Sequence, residues 1–253
     1  MAADLLLETR GLSKAFGGLM AVDRVDFALA REELRAVIGP NGAGKTTFFN
    51  LISGLLRPTA GHILFRGEDI TGLPSHRVAR TGIARTLQMT SIFAGMTVRE
   101  NIWMAAQRRR RFYNPLMPAS RMADVRQRVD EVLGLLRLVD IADEVAANLS
   151  HGHQRLIEIG IAISTNPQLL LLDEPTSGLS AEESAEVAAL VKHLRRLCTI
   201  ILVEHKMDVV MGIADRVTVF AEGRVFAEGS PEEISNHRGV QEIYLGARDA
   251  SGR

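Results

Sequence analysis

The chain has 253 residues, enough to bury a large core as one α/β domain or two. Thirty basic residues balance thirty acidic ones, so charge offers no support for a general nucleic-acid-binding surface. No window of about 18 apolar residues and no charged-then-apolar leader is found. The expectation is a soluble, intracellular protein whose membrane role, if any, comes through a partner.

In chain order, Leu5–Thr9 and Val25–Ala30 read as early strands, with Phe16-Gly17-Gly18 in a turn between them. Leu34–Ile38 reads as a short buried strand, and Phe48, Leu51, Ile52 and Leu55 recur at helical spacing after it. His62–Phe65 is a further strand, and Gly82–Thr86 another, leading to Gln88. Thr97-Val98-Arg99-Glu100 is a capping box that starts a helix. The basic run Arg108–Arg111 follows, then Tyr113–Pro118, where two prolines argue for a loop. The arginines read as a solvated helix end in preference to a contact with nucleic acid or anionic lipid. Val125, Val129, Val132, Leu133 and Leu136 form a helical face, and Met89 to about Thr165 reads as a mostly helical insertion in the α/β domain. The sheet resumes at Leu169–Asp173, whose continuous apolar run suits a strand covered on both faces. Ser180-Ala181-Glu182-Glu183 is a second capping box, Thr199–Val203 a buried strand, and Arg216–Ala221 with Arg224–Ala227 a hairpin about Glu222-Gly223. Ser230-Pro231-Glu232-Glu233 caps a last helix, and Ala247–Arg253 is expected to be disordered. The single cysteine, Cys198, sits in an apolar run and reads as a small core residue.

The chemistry begins at Gly39-Pro40-Asn41-Gly42-Ala43-Gly44-Lys45-Thr46-Thr47. Gly, four residues, then Gly-Lys-Thr between a strand and a helix is the pattern of a phosphate-binding loop. The glycines let backbone N–H groups turn inward around phosphate oxygens, and the helix start adds its positive dipole end. Lys45 is expected to reach the β- and γ-phosphates and Thr46 to hold a magnesium ion. Asp173 and Glu174 end a strand, the place where open α/β sheets bind ligands. Asp173 suits a role behind magnesium, and Glu174 that of a general base polarising water. Ser150 is a suitable N-cap for the helix carrying Leu156, Ile159 and Ile163, and so makes a possible anion site.

Together these pieces resemble the ATP-binding-cassette family over nearly the whole chain. Leu149-Ser150-His151-Gly152-His153-Gln154 is similar to its signature peptide, usually Leu-Ser-Gly-Gly-Gln, with Ser150 and Gly152 matching and His151 and His153 not. Leu169–Glu174 resembles its Walker B strand and Ser177-Gly178-Leu179-Ser180 its D-loop. The resemblance implies that Gln88 senses magnesium and partner, that His205 is the switch histidine at the γ-phosphate, and that Phe16 stacks on adenine with Val22 beside it. It implies a phosphate-loop NTPase core with a mainly parallel sheet, an N-terminal antiparallel β subdomain and an inserted helical subdomain. The corresponding segments are 1–88 and 166–230 for the core, 89–165 for the insertion with the signature, and 231–253 for a terminal helix and tail.

Within the family the chain looks most like the importer ATPases for branched-chain amino acids and related amides or urea. The features are Phe16-Gly17-Gly18-Leu19, Thr97–Asn101, Glu158-Ile159, Glu204-His205 with Met207-Asp208, and the closing Tyr244-Leu245-Gly246. The lipopolysaccharide-export ATPase shares some of these and stays as an alternative, ahead of a soluble non-transport ATPase. The resemblance implies ATP and Mg2+ as ligands, and an active ATPase. It implies a second ATPase subunit, identical or a paralogue, whose Ser150 and Gly152 close over ATP. It also implies integral-membrane permease subunits and, indirectly, a periplasmic or extracellular substrate-binding protein, with no nucleic acid. Ser91, Ile92, Phe93 and Met96 are candidate permease contacts, with core packing as the even alternative. Three departures, His153, Ser180 and Lys206, put communication between the two sites in doubt.

Overall fold

A computed structural model describes residues 4–86, 92–107 and 122–243. Gln88, Ser91, Arg108–Arg111, Tyr113–Pro118, Tyr244–Gly246 and the tail lie outside the described residues.

The first two strands run much further than their apolar stretches indicate. β1 is Leu5–Phe16 and β2 is Leu19–Ala30, joined at Gly17-Gly18 and paired antiparallel down to Phe16 opposite Leu19. The register shifts four times along this ladder, and the shifts interrupt the in–out alternation that would otherwise announce a long strand. Gly11, with φ 56°, sits in one such irregularity, and its N–H donates to Asp26 Oδ1 at 2.6 Å. β4 (Ala60–Phe65) adds antiparallel to β1, and the two-residue β5 (Glu68–Asp69) completes a sheet of order β2-β1-β4-β5.

The second sheet contains β3 (Leu34–Ile38), β6 (Ile83–Arg85), β7 (Leu169–Asp173), β8 (Thr199–Val203), β9 (Arg216–Ala221) and β10 (Arg224–Gly229), in the order β10-β9-β3-β8-β7-β6. All neighbours are parallel except the β9–β10 hairpin. β7 and β8 are buried throughout because their two faces feed two cores. Leu170, Leu172, Ile200 and Leu202 pack with the helices. Leu169, Leu171, Ile201 and Val203 pack with Phe27, Phe48 and Phe49 under the antiparallel sheet. A strand apolar on both faces shows no period-2 signal, so the unbroken Leu run is the expected pattern. Cys198 is buried beside the helical core, where burial pushes its thiol up to about 12.

α1 is Lys45–Ile52, α2 Ser75–Thr81, α3 Val98–Ala106, α4 Ala123–Leu136, α5 His151–Ser164, α6 Ala181–Leu194, α7 Met207–Ile213 and α8 Pro231–Ser235. Four of the eight α-helices among the described residues, α3, α5, α6 and α8, start at side-chain caps. Reciprocal capping boxes are formed at Thr97/Glu100, Ser180/Glu183 and Ser230/Glu233, and Ser150 caps α5. Leu55 does not continue α1; the chain leaves the helix at Ser53-Gly54, and Leu55 is half exposed. α2 and α7 escape sequence reading because each is only two turns long and α2 buries a single apolar residue, Val78. Among the described residues no helix is long and apolar enough to cross a membrane.

Candidate functional site

The strand order decides where the chemistry gathers. β3 lies beside β8, and β8 beside β7, all parallel, so Ile38, Asp173 and Val203 end at the same edge. The phosphate-loop pattern, Glu174 and His205 leave the sheet there.

The loop from Gly39 to Gly44 is shaped by backbone that only glycine adopts cheaply. Gly39, Gly42 and Gly44 have φ of 148°, 80° and 99°. A Cβ on Gly39 would lie 2.2 Å from the Phe220 carbonyl oxygen, and one on Gly44 would lie 2.4 Å from that of Ala21. The loop is thus clamped between β9 and β2, and the Gly223 N–H donates to the Ala43 carbonyl at 3.1 Å. No side chain caps α1 and no acidic residue occupies its first turn, which leaves the N-terminal N–H groups for an anion. Lys45 is almost wholly buried and folds back, its Nζ donating to the carbonyls of Gly39 at 2.6 Å and Pro40 at 2.9 Å. Burial pushes the Lys45 ammonium below its usual range, opposed by the charges of Glu174 and Asp173. Asn41, Gly42 and Thr46 are exposed at the rim, Pro40 and Thr47 half-buried, and Ala43 buried.

Asp173 has no exposed surface and accepts from Arg85 Nη2 at 2.9 Å. The same guanidinium donates through Nη1 to Asn50 Oδ1 at 2.6 Å and to Ser53 Oγ at 3.1 Å, joining the Asp173 carboxylate to α1. Glu174 adopts a left-handed φ of 48°, a strained conformation of the kind found at functional sites. Its N–H donates to the Val203 carbonyl at 2.9 Å, and its own carbonyl accepts from Arg155 Nη2 at 2.8 Å. Its side chain turns to His205, with Nε2 and Oε1 2.8 Å apart. An ionised carboxylate only accepts, so this pairing puts a proton on Nε2. Glu204, buried behind His205, accepts from the Thr176 hydroxyl and from the His205 N–H at 2.9 Å.

Ser150 and Gly152 meet Glu183. A Cβ on Gly152 would lie 2.6 Å from Glu183 Oε1. The Ser180 N–H and hydroxyl hold the Glu183 carboxyl below the usual range, helped by the Gly152 N–H and the Ser150 hydroxyl. Ser150 Oγ accepts from the His153 N–H at 3.3 Å and lies 3.3 Å from His153 Nδ1. Phe16 is 46% exposed at the β1–β2 turn, with Lys14 Nζ 5.1 Å from its ring centre. Val22 corrects an expectation: it has no exposed surface and packs in the core under the antiparallel sheet. The open apolar neighbours of Phe16 are instead Leu19 and Met20.

The structure therefore brings Lys45, Asp173, Glu174 and His205 to one edge and leaves Phe16 and Ser150 exposed beyond it. Sequence reading missed Arg85, Arg155 and Glu204. A charge inside the short strand Ile83–Arg85 was a usable signal for Arg85; the contacts of Arg155 to the Glu174 carbonyl and of Glu204 to Thr176 join residues far apart in sequence and gave none.

The sequence profile of the ABC transporter family matches residues 22–177, and that of the branched-chain amino acid ATP-binding cassette transporters matches residues 224–250. The high-affinity branched-chain amino acid transport ATP-binding protein LivG of Escherichia coli K12 is 41% identical over 249 residues, which cover 95% of this chain and 98% of that one. The lipopolysaccharide export system ATP-binding protein LptB of Acidithiobacillus ferridurans is 34% identical over 95% of this chain and 97% of its own length. Among solved structures, the ADP conformation of MJ1267, an ATP-binding cassette of an ABC transporter, superposes with a TM-score of 0.85 at 30% identity, covering 96% of this chain and 99% of that one.

Proposed function

Because the chain belongs to the ABC transporter family of ATPases, we propose that it is the ATP-hydrolysing subunit of an importer of branched-chain amino acids or related amides. The observation that carries the catalytic part is the meeting of the phosphate loop, Glu174 and His205 at one sheet edge. Resemblance in the 224–250 segment, and 41% identity against 34%, favour amino-acid import over lipopolysaccharide export.

ATP lies with its phosphates in the loop Gly39–Thr47 and its adenine on Phe16. Lys45 releases the carbonyls of Gly39 and Pro40 and turns to the β- and γ-phosphates. Burial lowers the Lys45 pKa, and the negative phosphates act in the opposite direction by favouring its charged form. Glu174 takes the proton of the attacking water, and His205 orients Glu174 and contacts the γ-phosphate. The hydroxyl of exposed Thr46 is a hard oxygen donor that would hold Mg2+, with Gln88 as a further candidate, and the buried Asp173 carboxylate would stand behind the ion. When bound, the ion neutralises charge on the β- and γ-phosphates.

Ser150 and Gly152 of a second ATPase subunit, identical or a paralogue, close the site. Gly152 lies under Glu183 in the isolated chain, so closure moves that carboxylate away from α5. A groove of about 480 Å³ between the α1–α2 side and helices α3 and α5 is the permease-docking site. Its edges carry the half-exposed Leu55 and Met104. Phe93 is exposed nearby in sequence, whereas Ile92 packs on the helical core. Through that contact the protein sits at the inner face of the membrane, and an external binding protein supplies the substrate to the permease.

Uptake of labelled leucine by cells carrying the gene tests the assignment. Lys45→Ala is expected to abolish binding of a fluorescent ATP analogue and leucine uptake together. Leucine uptake at the wild-type level after ATP binding is lost would overturn the substrate reading. Phe16→Ala is expected to weaken the same analogue by about tenfold, taking base–aromatic stacking as roughly 1–3 kcal/mol. Unchanged affinity would move the adenine elsewhere.

A further inference from the structure

Residues 204–206 leave β8 and grip the segment after β7 at successive points. Glu204 takes the Thr176 hydroxyl and His205 takes Glu174. Lys206 Nζ donates to the Leu179 carbonyl at 3.3 Å and to Ser184 Oγ at 2.7 Å. Leu179 belongs to Ser177–Ser180, the loop that resembles the D-loop, and Ser184 lies in the first turn of α6. These contacts give the departure at position 206 a use, since an acidic residue there could not donate to a carbonyl.

We propose that Lys206 is a positioning residue for hydrolysis: it ties the 177–180 loop to the switch histidine, so that movement of His205 with the γ-phosphate moves this loop. The inference rests on the assignment of Glu174 and His205 above. Lys206 touches neither of their reacting atoms; it fixes the far end of the segment that starts at Glu174. The backbone of this segment turns at Gly178, φ 76°, between the Glu174 and Leu179 contacts. A hinge between two anchored points transmits a pull only while both anchors hold.

The test compares Lys206→Met, which keeps the stem and removes the donor, with Lys206→Arg, which keeps it. ATPase rate is measured against ATP concentration, beside nucleotide affinity and melting temperature. With two sites closing together, wild-type turnover is expected to rise cooperatively with ATP; Lys206→Met is expected to lower kcat by about tenfold, the size of one charged hydrogen bond, with KM within twofold of wild type and the Hill coefficient reduced to about 1. Lys206→Arg restores kcat and cooperativity. A merely structural role would lower the melting temperature without moving cooperativity. Wild-type kcat and cooperativity in Lys206→Met would overturn the proposal, as would equal loss in Lys206→Arg. Glu174→Gln in the same assay separates the two readings: full activity there removes the premise, whereas an inactive Glu174→Gln beside an unaffected Lys206→Met removes only the tether.

Discussion

Glu174→Gln is expected to bind ATP as the wild type does and to lose hydrolysis by about 10²- to 10⁴-fold, the range for removal of a general base. The substitution is isosteric. The amide oxygen can still accept from His205 Nε2, which lies 2.8 Å from Oε1 in the carboxylate form. The left-handed backbone, the N–H to the Val203 carbonyl and the Arg155 contact to the Glu174 carbonyl all involve main-chain atoms. What the amide cannot do is accept the proton of the attacking water. Binding and turnover should therefore separate cleanly. With hydrolysis blocked, ATP stays between two copies, and a dimer should elute by size-exclusion chromatography with ATP but not without it. Turnover near the wild-type rate would remove Glu174 from the base role. A Glu174→Gln protein that binds ATP and stays monomeric would count against assembly through Ser150 and Gly152 of a second copy.

Arg85→Met is expected to produce the largest loss of stability. Arg85 is 8% exposed and its partner Asp173 not at all. Breaking a buried pair by removing one member costs about 3–5 kcal/mol, because the other charge keeps its desolvation penalty. Here the guanidinium also holds Asn50 and Ser53 and lies over the Phe49 ring, 5.6 Å to its centre, so its loss loosens α1 as well. At about 2–4 °C per kcal/mol for a chain of this size, the melting temperature should fall by roughly 6–20 °C. Calorimetry of the nucleotide-free protein measures it. Adding Asp173→Asn to Arg85→Met should recover part of the loss, since the buried charge that Arg85 balanced is then gone. A fall under about 2 °C would mean that the pair is not a determinant of stability.

The two replacements probe different kinds of legibility. Glu174 could be read from the chain because an unbroken apolar run ending in Asp-Glu, downstream of a complete phosphate loop, marks a buried strand that delivers its carboxylates to the phosphates. Arg85 could not, since its meaning lies in Asp173, Asn50 and Phe49, three residues brought together by the β6–β7 pairing and by α1. The same division runs through the fold. The strands Leu169–Asp173 and Thr199–Val203 and the capping boxes at Thr97, Ser180 and Ser230 were readable, because burial on both faces and cap chemistry are local properties. The β1–β2 ladder was readable only at its two ends. Its bulges break the alternation, and pairing across the sheet keeps this stretch extended, Lys14 opposite Val22 of β2 and Ser13 opposite Ala60 of β4. Val22 is a similar case: the resemblance set it beside Phe16, and the fold buries its side chain in the core under the antiparallel sheet.

The sequence by itself determined the phosphate loop, whose glycines answer to backbone geometry within a few residues. It also determined the capped helix starts at Thr97, Ser150, Ser180 and Ser230, and the two carboxylates Asp173 and Glu174 at the end of a buried strand. Tertiary structure decided how these parts meet. The order β3-β8-β7 sets Lys45, Glu174 and His205 at one edge although their positions span most of the chain, and it fixes the contacts of Arg85, Glu204 and Lys206. Such contacts join residues distant along the chain, and a local pattern of residue types carries no record of which distant strand will lie beside it.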